Sequence, residues 1–539
     1  MYITKYDEEN KLWSGRGDKP LYNPEISLAQ VLFSAMELHA PKIAQISDNN
    51  GIEMTFDEIR LKTIRAAQNL QELGYQPKQV FAFMIRNSHH VAPTVFGAIS
   101  IGCSVNSLDP SFGKTELLHM LGTTKPDLMF CDVESYELVK ECLVQLQNDA
   151  KIFTFGGSDG ESEPVENLFA ETGTESSFMP VEVDAVNDTA LIVCSSGTTG
   201  LSKGVCLSHA AVIDGMVKLG TTISSDVMLC FSSLYWITGF VTLLKGTMSG
   251  ATRIITTEIH SPELQLALYE KYKVTWALCA PYHIILMMKS EKFAETDLSN
   301  LRVQTVAGSK FPLHVKNEIN SHLPNGSAGS FYGMSETCGV ICGENPHSSG
   351  SDGVGQLLSG VKMKIVDDQG NRCGPNVDGE ICLQQNFKFL GYYGNKQATD
   401  ELYDDEGFIM SGDIGHFDDD GNLYIIDRKK DLMKYRGFQI SPSEMDAFLI
   451  ESPDIKSSCV VGIPDELGPD LPAAVIVRAD GSNISGEEVY DMVAEHFADY
   501  YHLRGGVYFV DSLPTTLSGK VLRRKAKEMA IELFKEHSG

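Results

Sequence analysis

Cys194-Ser-Ser-Gly-Thr-Thr-Gly-Leu-Ser-Lys-Gly204 is the stretch on which the reading of this chain turns. It follows Thr189-Ala-Leu-Ile-Val193, an uncharged and partly β-branched run that reads as a short buried strand. After it comes a helix-like segment, Ala210 to Leu219. Gly197 and Gly200 let the backbone turn its N–H groups toward one point, and Ser195, Ser196, Thr198 and Thr199 add hydroxyl donors. Lys203 supplies a full positive charge. That donor set suits a polyphosphate. The spacing G-x-x-G-x-x-K-G is not the Walker pattern G-x-x-x-x-G-K-[ST], so the ordinary P-loop reading fails. The competing reading is a Gly/Ser/Thr surface loop.

At 539 residues the chain exceeds what one core supports, so two or more domains are expected. Hydrophobic residues make up 42% and charged residues 22%, an ordinary globular balance. A net charge of −28 argues against nucleic acid or an anionic membrane as a partner, and an anionic ligand then needs a local basic site. The 12 cysteines show no zinc-ligand spacing, which points to reduced thiols in an intracellular, cytoplasmic setting. The N-terminus is charged from Lys5 and has no signal-peptide core. The longest uncharged stretch, Val91 to Leu108, contains Pro93 and Gly102 and reads as helix then strand, not as a membrane span. The last residues, Glu536-His-Ser-Gly539, do not carry the peroxisomal S-K-L address.

In chain order, Ile43 to Met54 reads as a hairpin turning at Asn50-Gly51, and Thr55 with Glu58 forms a capping box for a helix reaching Gly74. Val80–Ile85, Gly102–Val105, Leu128–Phe130, Leu191–Cys194 and Val274–Leu278 are buried strands alternating with helices, the signature of parallel α/β layers. Between residues 361 and 427 three acidic turns end in glycine: Asp367–Gly370, Asp404–Gly407 and Asp418–Gly421. Antiparallel hairpins with Asx turns account for all three. A calcium loop at the last one lacks its closing glutamate. The basic decade RKKDLMKYRG, 428 to 437, sits before a second α/β-like block and is a candidate boundary or hinge.

Four further segments can serve a nucleotide. Tyr332-Gly-Met-Ser-Glu-Thr337 holds a carboxylate, Glu336, able to ligate Mg²⁺. Asp413 in Ser411-Gly-Asp413 can accept from both hydroxyls of a ribose. Arg428, and Lys520 in Pro514-Thr-Thr-Leu-Ser-Gly-Lys520, can face phosphate oxygens. Each alone is equally a turn, a cap or a surface charge.

Taken in order, SSGTTGLSKG, YGMSET, SGD, DRKKDLMKYRGFQISPSE and PTTLSGKVLRR resemble the adenylate-forming superfamily of acyl-CoA synthetases, 4-coumarate–CoA ligases and insect luciferases. The resemblance spans roughly Leu28 to Lys525. It implies an α/β fold: a large N-terminal region, 1–428, of layered sheets and helices with a small β subdomain, and a smaller mobile α+β domain, 429–539. It implies ATP, Mg²⁺ and coenzyme A, a small carboxylic acid as substrate, and no carrier domain in this chain. By the family pattern Ser196, Gly197, Thr198, Thr199, Gly200 and Lys203 hold the β- and γ-phosphates. Glu336 ligates the metal, Tyr332 lies against the adenine beside Gly333 and Ser335, and Asp413 takes the ribose with Arg428. Lys520 bridges carboxylate and α-phosphate. Rotation about Lys430 then replaces Lys520 by the face carrying Lys434, Gly437 and Gln439, through which coenzyme A attacks the acyl-adenylate.

Departures shape the expected substrate. Ser202 stands where the family usually has proline, Ser335 where threonine is common, and Trp236 where luciferases and coumarate ligases have histidine. The helix from Ala210 offers no arginine where luciferases place one against luciferin. Phe231 to Phe240 contains no acidic residue to pair with an amino acid's ammonium, and Tyr235, Trp236 and Phe240 give an apolar lining. The expected activity is a fatty acyl-CoA synthetase for medium- or long-chain acids. The alternatives are a 4-coumarate-like aryl acid ligase, a luciferase-type monooxygenase and a nucleotide-binding pseudoenzyme, the last disfavoured by intact Lys203, Glu336, Asp413 and Lys520.

Overall fold

The computed structural model describes residues 3–17, 19–158, 160–196, 202–345, 351–435, 438–464, 470–515 and 521–538. The opening segment departs from expectation at once. The strand Thr189–Ser196 does not lead through the loop into a helix. It is followed by a second strand, Ser202–Ser208, paired antiparallel with Ser195 opposite Lys203 and Ser196 opposite Ser202. Only then does helix His209–Lys218 begin, capped by Ser208. The reason lies in burial: Gly204 to Ser208 are covered on both faces, and Gly391–Tyr392 pairs along the outer edge. A short run buried on both faces carries no alternation to announce it as a strand.

Two large sheets lie at the centre. The first runs, edge to edge, Gly391–Tyr392, Ser202–Ser208, Thr189–Ser196, Ser104–Ser107, Val80–Met84, Leu128–Asp132, Lys151–Phe155 and Glu163–Pro164, parallel from Thr189–Ser196 onward. The second holds Ser327–Met334, Val303–Ala307, Trp276–Cys279, Val227–Leu229, Thr252–Ile255 and Ile43–Ser47 in parallel, with antiparallel strands at both edges. Interposed helices cover these parallel strands, which is why the strands read as near-continuous apolar runs. The hairpin at Ile43–Thr55 and the Thr55–Glu58 capping box both form as expected.

A six-stranded antiparallel sheet is the β subdomain: Lys5–Asp7, Leu12–Ser14, Lys362–Val366, Gly379–Gln384, Ile409–Phe417 and Leu423–Arg428. All three acidic turns behave alike. The carboxylates of Asp367, Asp404 and Asp418 each accept from backbone N–H groups two and four residues on. Asp418 also accepts from the Asn422 side-chain amide, so its oxygens serve its own turn. Beyond this sheet, Ile455–Ile463, Leu471–Arg478 and Gly506–Phe509 form a three-stranded sheet backed by helices Pro442–Leu449, Gly486–His496 and Arg523–Ser538. It has its own cores around Met445, Val460 and Val475. The architecture is therefore the expected mixed α/β one, a large N-terminal part and a small C-terminal part. All 12 cysteines are free, and no helix among the described residues is long and apolar enough to cross a membrane.

Near the N-terminus Trp13 is fully buried, stacked between Tyr6 at 4.6 Å and Phe417 at 4.7 Å. It pins the first hairpin to the β subdomain. Trp13→Ala should cost about 3–5 kcal/mol, as large-to-small core substitutions do. A melting temperature within a degree of wild type would show that the N-terminal hairpin is dispensable.

Candidate active site

The strands Thr189–Ser196 and Ser327–Met334 both run parallel within their sheets, and both deliver chemistry at their C-terminal ends, where open α/β sheets bind ligands. Gly197 to Gly200 lie outside the described residues. Their flanks are described: Ser195 and Lys203 face each other across the hairpin, and His119 Nε2 contacts the Ser202 carbonyl at 3.0 Å. The Lys203 ammonium lies over the Tyr392 ring, 4.7 Å from its centroid.

Tyr392 was not singled out by its sequence. Its hydroxyl donates to Glu336 Oε1 at 2.7 Å, and Glu336 is buried. Lys203, Tyr392 and Glu336 therefore form a column, cation over ring and ring hydroxyl to carboxylate. Burial, reinforced by the Glu336 charge, pushes the Tyr392 phenol well up, so it stays a donor at neutral pH. Glu336 rides on the 3₁₀ turn Ser335–Thr337, fixed by the Thr337 hydroxyl donating to the Met334 and Gly339 carbonyls at 2.9 and 2.8 Å. Gly333 is required just upstream, because a Cβ there would lie 1.9 Å from the Gly339 carbonyl oxygen.

A second tyrosine–carboxylate pair stands beside the first. The Tyr332 hydroxyl donates to Asp413 Oδ2 at 2.6 Å, and Arg428 Nε lies 3.4 Å from Asp413 Oδ1. Asp413 and Arg428 are direct partners across strands Ile409–Phe417 and Leu423–Arg428. Burial and the Asp413 charge hold the Tyr332 phenol far above its usual range. Gly412, with φ of +71°, lets the chain turn immediately before Asp413. Tyr332, Asp413 and Arg428 thus meet, as do Lys203 and Glu336.

Of the remaining expected site residues, Lys430 is exposed just past strand Leu423–Arg428. Lys434 and Gln439 are register partners in the small hairpin Met433–Tyr435/Phe438–Ile440. Gly437 and Lys520 lie outside the described residues. The flanks of Lys520 are held, Leu522 N donating to the Pro514 carbonyl at 2.8 Å and Arg523 pairing with Asp446 at 2.9 Å. In the acid-side segment Tyr235 is buried edge-on to Phe112 at 5.5 Å and to Trp236 at 4.8 Å. Trp236 is half-buried, whereas Phe240 is fully buried in the main core.

No cluster of three or more His, Cys, Asp or Glu suited to a metal exists among the described residues. Glu336 nonetheless fits Mg²⁺ of the kind bound by one or two carboxylates together with substrate phosphates. It is buried, on a turn that contacts the strands Thr189–Ser196 and Ser202–Ser208, with Oε1 steadied by Tyr392.

A family model for AMP-binding enzymes matches residues 33–393, and one for the AMP-binding enzyme C-terminal domain matches 444–520. The chain is 31% identical over 484 residues to 4-coumarate–CoA ligase 2 of Nicotiana tabacum, covering 87% of this chain and 88% of that one. It is 30% identical over 550 residues to luciferin 4-monooxygenase of Luciola mingrelica, covering 97% and 98%. Among solved structures, the anthranilate CoA ligase AuaEII in complex with anthranoyl-AMP superposes with a TM-score of 0.87 at 20% identity, over 95% of this chain and 98% of that one. The luciferase-like enzyme from the nonluminescent Zophobas morio mealworm gives a TM-score of 0.70 at 28% identity, over 76% and 98%. Fold and site together define an adenylate-forming enzyme. The chain belongs to the AMP-binding enzyme family, that of the acid–CoA ligases, whose substrates include ATP and coenzyme A.

Tyr392→Phe keeps the ring beneath Lys203 and removes the hydroxyl from Glu336. Leaving a buried carboxylate one donor short should cost roughly 1–3 kcal/mol, read as a lower denaturant midpoint at unchanged m-value. An unaltered midpoint would mean that this contact contributes nothing.

Proposed function

We propose that the protein activates a carboxylic acid with ATP and transfers the acyl group to the thiol of coenzyme A. The observation that carries the reading is the pair of tyrosine–carboxylate links that draw on three sheets: Tyr392 joins Lys203 to Glu336, and Tyr332 joins Asp413 beside Arg428. In the first half-reaction the acid's carboxylate attacks the α-phosphorus and pyrophosphate leaves. The protein's part is positioning and charge neutralisation. The hairpin from Ser196 to Lys203 holds the outer phosphates and Glu336 holds Mg²⁺. Tyr332 and Gly333 border the adenine, and Asp413 takes the ribose with Arg428 beside it. Lys520 spans the carboxylate and the α-phosphate. In the second half-reaction the thiol displaces AMP, with Lys434, Gly437 and Gln439 brought to the site by rotation about Lys430. The domain boundary is placed at Arg428/Lys429, at the end of strand Leu423–Arg428 and between the two family matches.

The acid is read as a medium- or long-chain fatty acid. Support comes from apolar Tyr235 and Trp236 and from the absence of any acidic residue in Phe231–Phe240. The 31% identity to a 4-coumarate–CoA ligase favours a second reading, an aryl acid. AMP release measured with decanoate, 4-coumarate and an amino acid, with and without coenzyme A, decides between them. Preference for the amino acid would defeat both.

Lys520→Ala should slow adenylation by about 10²–10³-fold, the loss expected for one preorganised donor to a developing charge, while thioester formation from pre-made acyl-adenylate persists. Lys434→Ala should show the opposite asymmetry, with acyl-adenylate accumulating. Equal loss of both half-reactions in both variants would refute the division of labour.

With ATP, Mg²⁺ and firefly luciferin the protein should give little or no light. Trp236 replaces a histidine of the luciferase pattern, and the helix His209–Lys218 carries no arginine. Bright emission at micromolar protein would make oxygenation the primary activity.

A further inference from the structure

The acid-side segment continues into a helix with an irregular middle: α-helical Ile237–Phe240, π-helical Val241–Lys245, then α-helical Gly246–Ser249. Single π turns inside helices recur at functional sites. Phe240, Leu243 and Leu244 point into the main core and are fully buried. Thr238 and Thr242 stand one turn apart, the Thr242 hydroxyl donating to the Thr238 carbonyl at 2.8 Å, and Lys245 ends the π turn. Trp236 is the residue just before this helix, and the Lys245 ammonium follows it nine residues later in the chain.

Lys245 is only 9% exposed and makes no hydrogen bond or ion pair among the described residues. Burial alone pushes its ammonium down to about 8, with no opposing partner. The acidic groups around it are committed elsewhere. Helix His209–Lys218 packs on the π turn, but its Asp214 pairs with Lys218 at 2.5 Å and accepts from Asn386 at 3.2 Å. The turn bearing Glu336 approaches Val241, which a side chain on Gly339 would meet at 3.5 Å, and Glu336 is held by Tyr392. Behind Gly246 lies Arg253, another buried cation, which cannot neutralise it. Desolvation with no opposing charge disfavours the bare ammonium, so an anion that arrives with a ligand would gain by pairing with it.

We propose that Lys245 determines which acid the enzyme takes: its ammonium receives a second acidic group at the far end of the substrate, making the preferred acid a dicarboxylate with an apolar body between its carboxylates. This rests on the acid–CoA ligase reading and narrows its substrate. The body of the acid lies beside Trp236 and this helix, one carboxylate reaches the nucleotide, and the other reaches Lys245.

The test is equilibrium binding, by calorimetry on the full-length protein, of straight-chain α,ω-dicarboxylates and of monocarboxylates of matched length, run alongside AMP release. Wild type should bind its best diacid at least tenfold tighter than the matched monoacid. Lys245→Met should abolish that preference while leaving monoacid binding equal or better, and Lys245→Arg should retain it. Wild type binding every monoacid as well as its diacid overturns the proposal, whether or not Lys245→Met folds. Equal weakening of both series in Lys245→Met, at an unchanged melting temperature, overturns it too. Selective diacid binding without AMP release would instead defeat the ligase reading and leave the Lys245 assignment supported.

Discussion

Two tyrosine–carboxylate hydrogen bonds hold three sheets at one corner. Tyr392, on the edge of the eight-stranded sheet, reaches Glu336 beyond the end of the nine-stranded sheet, and Tyr332, in that second sheet, reaches Asp413 in the antiparallel one. Each bond has a neutral donor and a charged acceptor, the arrangement in which a hydrogen bond is strongest without a full ion pair's desolvation cost. The phenols must stay protonated for this, and burial beside a carboxylate guarantees it. Glu336 and Asp413, the groups proposed to serve the nucleotide, are therefore set relative to one another before any ligand arrives, as electrostatic catalysis by positioning requires.

The legible parts of the fold were those encoded locally. The Thr55–Glu58 box satisfies its own helix start, and each Asp of the acidic turns bonds N–H groups within four residues, so a few side chains suffice to specify each feature. What the sequence did not reveal was non-local. Ser202–Ser208 becomes a strand because Thr189–Ser196 and Gly391–Tyr392 flank it. Trp13 matters because Phe417, four hundred residues on, offers a ring to stack against. Tyr392 is the clearest case: in Gly391-Tyr-Tyr393 it looks like any aromatic pair, and only its register with Val205 brings it beneath Lys203. The family was legible through the resemblance of these motifs, whereas the tyrosine that joins Lys203 to Glu336 was not.

The chain between the two parts of the protein is tied more closely to the site than a basic linker suggests. Asp427 Oδ2 accepts from the Ser441 hydroxyl at 2.8 Å and from Ser443 N at 3.0 Å, so the residue before Arg428 secures the first turn of helix Pro442–Leu449. On the near side, Lys429 N donates to the Gly412 carbonyl at 2.8 Å and its ammonium pairs with Glu380 at 2.7 Å. Lys430 is the first residue past these anchors.

That arrangement sets what a rotation about Lys430 would break and keep. The Asp427–Ser441 clasp, the Lys289 bond to the Ile455 carbonyl at 2.9 Å and the His314–Glu451 contact at 3.0 Å all cross from the large part to the small one. The Lys429–Glu380 pair and the Asp413–Arg428 register lie wholly on the large part. Among the described residues the polar crossing contacts at the surface are the kind worth about 1 kcal/mol or less apiece, but the Asp427–Ser441 clasp is buried and Ile450 of the small part packs on an apolar core of the large one. The contacts that hold Asp413 and Glu336 likewise involve buried carboxylates. A reorienting small domain would have to give up the buried Asp427 clasp and the Ile450 packing, while the contacts of Asp413, Arg428 and Glu336, which lie wholly on the large part, would be kept.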